Sequence, residues 1–364
     1  MKILHVITDL RIGGESRLLA RSIAGLPMFE HVVSCLAVTS DPVHAPADLR
    51  AEIEALGVRV VDLGVSRMNP LTVPRAFIRL VQLTRREQPH ILHSTLIHAN
   101  LLTEPLACTG SPVLCSHGVT KPWRRSWQRE LERLIGGRAI FLVNAQTVRQ
   151  TLVDAGFDRS RIRVLYYGVD CEHFRPDGER ADVQGDPLLL GVGRLHKQKG
   201  FRHLLEAAAL QAPRPHVMLL GEGPLRESLL RTARDLDVPL TIVPAVGDIA
   251  PYLRRAAVLV LPSLWEGLPN VLLEALASGC SVVASDLPGH REVIRDGENG
   301  LLVPLGDVAA LSAAIRGALS NGSLGAAGRQ SVLQRFRWDS YLERRRLLYE
   351  TLVAGRSRSV LSDA

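Results

Sequence analysis

Residues 263–286 read SLWEGLPNVLLEALASGCSVVASD, and the reading of the whole chain turns on them. Pro269 suits the first helical position, where its missing N–H costs nothing. Gly279 suits a left-handed stop, and VLLEALA between them reads as helix. Glu266 therefore falls in the loop before the helix and Glu274 inside it. The free N–H groups and dipole of such a helix start favour a phosphate near residues 268–271, which makes Gly267, Leu268, Pro269 and Asn270 donor-binding candidates. Glu266 then stands beside whatever the phosphate carries, and Glu274 within reach of a ribose.

Outward from this stretch, apolar β-branched runs alternate with helical segments, the pattern of a doubly wound parallel α/β sheet. The first set of strands is expected at residues 3–7, 32–38, 59–63, 90–93, 113–116, 140–144 and 163–166. A second set is expected at 188–192, 216–220, 240–243, 258–261, 282–284 and 301–303. The polar segment 176–187 interrupts the pattern and reads as a linker. Two Rossmann-like domains follow, residues 1–175 and 188–337, with a last helix over 338–354 and a tail over 355–364. A chain of 364 residues with 46% hydrophobic and 22% charged content suits two such cores.

No apolar run approaches the roughly 20 residues that span a bilayer, and MKILHVITDL reads as a buried strand, so the sequence predicts a cytoplasmic chain. Cys35, Cys108, Cys115, Cys171 and Cys280 form no C-x-x-C pair, and their odd number argues against a disulfide framework. Charge is uneven: residues 1–175 carry net +6 and the remainder net +1. Within the first half, residues 121–138 (KPWRRSWQRELERLIGGR) place Trp123, Trp127, Leu131 and Leu134 at helical spacing among arginines. Two readings stand, a basic amphipathic helix on an anionic membrane and a stripe packed on the protein's own core. Nucleic acid is disfavoured, because aromatic content is 4% and no recognisable binding module accompanies the charge.

Several loops carry chemistry. Gly13-Gly14 follow the first strand and let backbone amides approach a phosphate without a Cβ in the way. His117, at the end of a strand and followed by Gly118, can bond a sugar hydroxyl or a phosphate oxygen. His93 and His98 are open between site and structure, and His5 is expected to be structural. Arg194 and Lys199, five residues apart in a Gly-bounded loop, can aim at one diphosphate and replace a divalent cation. Glu222 and Ala245-Val246 are candidates for contact with a base. Asp235-Leu236-Asp237 reads as helix-end and turn acid rather than a metal ligand set, so no metal and no cofactor are expected.

These segments together, GGESRLL from Gly13, SHG from Ser116, YYGVDCEHFRP from Tyr166, VGRLHKQKG from Val192, LLGEGPLRESL from Leu219 and PGHREVIRDGENGLLVP from Pro288, resemble the group 1, family 4-like glycosyltransferases of GT-B fold. The resemblance covers nearly the whole chain, with the E-x7-E motif falling on Glu266 and Glu274. It implies two Rossmann-like domains facing a central cleft, a last helix that braces the first domain, and retaining transfer from a nucleotide-sugar, with UDP as the family's common base. Two departures stand out: Glu15-Ser16-Arg17 shifts the acid that relatives carry after the glycines, and Tyr167 replaces their usual Asn. The expected acceptor is a lipid-linked or polysaccharide hydroxyl at the cytoplasmic membrane face. Alternatives are a small soluble acceptor, a nucleotide-sugar epimerase and an inactive nucleotide-sugar-binding scaffold.

Overall fold

Parallel strands cannot be joined by hairpins, so each must be followed by a crossover, and helices do this throughout the chain. The computed structural model describes residues 1–10, 14–36, 49–65, 72–108, 110–118 and 126–355; Gly13, residues 121–125 with Trp123, and the tail from 356 lie outside the described residues. The chain divides into two compact units, Met1–Tyr166 together with the chain from Leu342, and Tyr167–Tyr341.

The first unit holds a seven-stranded parallel sheet of β1 (Lys2–Ile7), β2 (Glu30–Cys35), β3 (Arg59–Asp62), β4 (Ile91–Thr95), β5 (Val113–His117), β6 (Ile140–Val143) and β7 (Ile162–Val164), in the order β3-β2-β1-β4-β5-β6-β7. The second holds six, β8 (Leu188–Val192), β9 (His216–Leu220), β10 (Leu240–Val243), β11 (Val258–Leu261), β12 (Ser281–Ser285) and β13 (Leu301–Val303), in the order β10-β9-β8-β11-β12-β13. Every strand lies within a few residues of its expected place. The reason is burial on both faces: β11 is buried at all four positions, so its sequence is a continuous apolar run, VLVL. Each such side chain contributes about 1.5–3 kcal/mol.

In both sheets the first strand lies between the second and a later one, β1 between β2 and β4 and β8 between β9 and β11. Successive connections depart to opposite sides at that point, leaving a crevice beyond the carboxyl ends of the strands where ligands of open α/β sheets bind.

The segment expected as a linker lies along the second unit. Ala181 N–H donates to Pro251 O at 3.0 Å, and Arg254 Nε and Arg255 Nη2 each donate at 2.6 Å, to Glu179 O and Gly185 O. The helix Trp338–Val353 belongs to the second unit through Tyr341, where Tyr167 meets Tyr341 edge-on with centroids 6.5 Å apart. From Leu342 it belongs to the first. There Tyr349 is fully buried, and Arg345, 4% exposed, donates to Tyr349 Oη at 2.9 Å and Ser22 Oγ at 3.0 Å. Among the described residues no helix is long and apolar enough to cross a membrane.

Candidate active site

The loops leaving β8 and β11 meet at the switch point of the second sheet. After β8 the chain runs through Gly193, exposed Arg194 and buried Leu195 into a single 3-10 turn, Lys197–Lys199. Gly200 closes that turn at φ +63°, and a Cβ there would lie 2.0 Å from the carbonyl oxygen of Pro262 in the opposite loop. Only glycine allows so close an approach in the left-handed region. Gly200→Ala should therefore cost about 1–3 kcal/mol, read as a lowered denaturant midpoint, with a loss of activity because the loops are pushed apart.

Side chains lock the two loops together. Leu264 N–H donates to Gln198 O at 2.7 Å, and Gln198 Nε2 donates to Trp265 O at 3.0 Å and Glu266 Oε2 at 3.4 Å. Ser263 Oγ donates to Glu266 Oε1 at 3.1 Å, and Lys199 Nζ forms an ion pair with the same oxygen. Glu266 is 7% exposed. A carboxylate so buried, with donors from Ser263, Gln198 and Lys199, is fixed in direction before any ligand arrives, as a site built on preorganised dipoles requires.

The helix after Glu266 spans Asn270–Ala277, with Glu274 half-buried on it. It starts one residue later than the sequence reading placed it. Pro269 is the N-cap, with φ −75° and ψ 131°, and Asn270 is the first helical residue. Proline's fixed φ fits both positions, and ψ, which the ring does not restrict, decides between them. Gly279, at φ +72°, ends the helix as expected; its N–H bonds Leu276 O and that of Cys280 bonds Ala275 O, both at 3.0 Å.

Glu222 is exposed in the loop after β9, and its carbonyl accepts from Leu195 N–H at 2.7 Å, which ties that loop to the one bearing Arg194. Val246 is half-buried in the loop after β10. Asp235 ends a helix, and Asp237, at φ +51° in the following turn, is paired with Arg214.

Three neighbours of Glu266 escaped the sequence reading. Gln198 and Ser263 are polar loop residues with no motif of their own, although Ser263 opens the quoted stretch. The third is His290 in PGHREV. It is fully buried, with its Nδ1–H donated to Ser285 O at 2.7 Å, and burial above all holds its ring below the ordinary histidine range. The residue before it explains the packing: a Cβ on Gly289 would fall 1.9 Å from Gly267 O.

In the first unit Gly14 opens the helix Gly14–Gly25 after β1. His117 is the last residue of β5 and is buried; its Nε2 lies 2.9 Å from Glu132 Oε1 and 3.1 Å from Asn100 Nδ2. His93 is also buried, within 2.7 Å of Tyr349 Oη and 2.8 Å of Ser116 Oγ, and His5 bonds His31 at 3.0 Å, so both serve the interior. His98 is half-buried on the helix Ile97–Thr103. The helix Ser126–Ile135 turns out to be amphipathic in the inverted sense. Trp127, Leu131 and Leu134 are 53%, 38% and 73% exposed, while Gln128 and Glu132 are buried. For these three apolar residues the core-packing reading is overturned, because the inner face of the helix is taken by polar partners of β5.

Residues 12–173 match the family model described as Glycosyltransferase Family 4, and residues 186–321 that described as Glycosyl transferases group 1. The lipopolysaccharide core biosynthesis glycosyltransferase LpsE of Rhizobium meliloti is 30% identical over 79% of this chain and 77% of its own. A UDP-Gal:alpha-D-GlcNAc-diphosphoundecaprenol alpha-1,3-galactosyltransferase of Escherichia coli is 25% identical over 85% of each. Among solved structures, Anabaena HepE in complex with UDP and glucose superposes with TM-score 0.85 at 16% identity, covering 96% of this chain and all of that one. At that identity the likeness concerns the fold, which is GT-B.

Proposed function

Because the chain belongs to the group 1 glycosyltransferases, we propose that it moves a sugar from a nucleotide-sugar, with UDP as the expected base, to a hydroxyl of a lipid-linked or polysaccharide acceptor, with retention and without a metal. The observation that carries this reading is the Lys199–Glu266 pair, held between two loops at the switch point of the second sheet. Glycosyl transfer builds positive charge on the sugar ring and negative charge on the departing diphosphate. Arg194 and Lys199 are assigned to the diphosphate, where two cations do the work of a divalent ion. The backbone around Gly267, Leu268, Pro269 and Asn270 receives a phosphate. Glu266 accepts from sugar hydroxyls and Glu274 from the ribose. Glu222 and Val246 frame the base, and Gly13, Gly14 and His117 of the first unit are assigned to the donor phosphate and the sugar.

The exposed face of the helix Ser126–Ile135 favours a lipid-borne acceptor over a soluble one. Trp127 and Leu134 offer apolar area, each side chain worth about 1.5–3 kcal/mol when fully buried. Arg129 and Arg133 flank them at about 1 kcal/mol per basic residue near an anionic surface. Leu134→Asp should lower partitioning onto anionic phospholipid vesicles at least ~10-fold, measured by sedimentation, and raised salt should weaken what remains.

The decisive assay is nucleoside diphosphate release from UDP-, GDP-, ADP- and dTDP-sugars, with and without EDTA and membrane lipid extract. Release from one donor class that survives EDTA and rises with lipid supports the reading. Interconversion of the sugar with no acceptor present would point to an epimerase, and protection from heat without release to a binding scaffold.

A further inference from the structure

In the first sheet β1 and β4 stand at the switch point, as β8 and β11 do in the second, where the loop after β11 carries Glu266. The residue that follows β4 is Leu96, and its backbone lies at φ +75° and ψ 147°. That is beside the part of conformational space that glycine alone occupies freely. Among the described residues, the other two with positive φ that are not glycine, Gln88 and Asp237, sit in turns behind helices. Leu96 instead ends a central strand, and its side chain is 38% exposed.

A strained residue persists only where its surroundings over-determine it. Before Leu96, Thr95 is paired with Ile7 of β1 and Ser116 of β5. After it, Leu96 O accepts from Asn100 N–H at 3.0 Å and opens the helix Ile97–Thr103. The Asn100 side chain is fully buried; its Oδ1 accepts from Ser94 Oγ at 2.8 Å and its Nδ2 donates to Ser116 O at 3.2 Å. The main chain is thus pinned on both sides of one residue, and glycine there would follow the same path without strain. A leucine so exposed offsets little of that strain by burial, so the reason for its side chain lies in what it meets from outside.

The register supplies the surroundings. Thr95 is level with Ile7 and Ser116, which puts Leu96 between Thr8 and His117 at the carboxyl edge, with half-buried His98 two residues on. An apolar side chain flanked by a hydroxyl and two imidazoles suits an occupant that offers C–H and O–H groups together, which is a sugar ring and not a hydrocarbon chain. Resting on the transferase reading above, we propose that Leu96 is a specificity residue of the first unit and packs on the C–H face of the acceptor's terminal sugar.

The test takes the donor class that gives nucleoside diphosphate release and titrates membrane lipid extract against wild type, Leu96→Gly, Leu96→Ala and Leu96→Met. Leu96→Gly and Leu96→Ala should each raise the half-saturating amount of extract about 10-fold, with donor KM little changed. Leu96→Met, which keeps the apolar reach, should stay within about twofold of wild type. Glycans freed from the extract by mild acid should compete with it at wild type and about 10-fold less well at Leu96→Gly. Strain is read separately: at φ +75° the usual order reverses, so Leu96→Gly should have a higher denaturant midpoint than Leu96→Ala. A lower midpoint for Leu96→Gly, or glycans that fail to compete or compete equally with both proteins, overturns the proposal. Release that extract titrates equally in all four proteins sinks the role of Leu96 alone, whereas a wild type that releases nothing from any donor sinks the transferase reading and Leu96 with it.

Discussion

Lys199→Met should lower kcat for nucleoside diphosphate release by about 10²–10³, the usual cost of removing one preorganised donor from developing negative charge. Two structural facts make this residue the sharpest probe. Its ammonium already pairs with Glu266, so it enters the reaction prepositioned, and its Cε lies 2.9 Å from where a Cβ on Gly193 would stand, so the loop leaves it little freedom. Lys197, exposed in the same turn, is the internal control, and Lys197→Met should change turnover less than twofold. Because Lys199→Met also strips a cationic partner from a carboxylate that is 7% exposed, thermal unfolding must be measured beside the kinetics. A drop in melting temperature without a drop in kcat would remove Lys199 from the chemistry. Lys199→Arg should restore little, since a planar guanidinium does not replace a compact ammonium in so tight a loop.

Stability should peak close to neutral pH and decline on both sides, because buried groups of opposite sign titrate against each other. Burial holds His5 and His93 well below the usual range, aided at His5 by the neighbouring rings of His31 and His93 and at His93 by the positive charge of Arg345; His31 is lowered too, again chiefly by burial. These rings are bonded as neutral species: His5 Nε2 with His31 Nδ1 at 3.0 Å, His31 Nε2 with Leu26 O at 3.0 Å, and His93 Nε2 with Ser116 Oγ at 2.8 Å. Below about pH 6.5 the unfolded chain binds protons that the folded chain refuses, so stability falls as pH falls, by up to about 1.4 kcal/mol per pH unit per ring. Glu104 acts in the other direction. It stays protonated in the folded protein up to about 11, whereas the unfolded carboxyl ionises near its ordinary value, so above about pH 4.5 it removes about 1.4 kcal/mol for each unit of rising pH. The acid limb is steeper because several histidines outweigh one carboxyl. Denaturant midpoints from pH 5 to 9 should show the maximum between about 6.5 and 7, and Glu104→Gln should flatten the alkaline limb, steepen the acid one and move the maximum upward. A profile unchanged in that variant would mean that Glu104 is ionised in the folded protein.

How much of this could be read from residues alone depended on whether the signal was local. The strands were legible because doubly buried parallel strands are unbroken apolar runs, and Gly279 because a left-handed helix stop has few chemical solutions. The start of the neighbouring helix was one residue out, since Pro269 satisfies φ at two positions. Lys199 and Glu266 were each singled out, but their pairing spans 67 residues and had no local trace. The same holds for Gln198 and for Glu132, whose meaning lies in partners far along the chain. The stripe of Trp127, Leu131 and Leu134 was visible by its spacing. Periodicity gives the existence of a face and not its direction, and here the apolar side faces out.

That inversion gives the helix Ser126–Ile135 two unlike surroundings. Its outer side ends in tryptophan and leucine, and its inner side ends in the carboxylate that lies 2.9 Å from the His117 ring. Its ten residues make about three turns, so solvent on one side and the buried carboxylate on the other are separated by the width of a single helix. A substitution of Leu134 therefore meets solvent and one of Glu132 meets the interior, within one short helix.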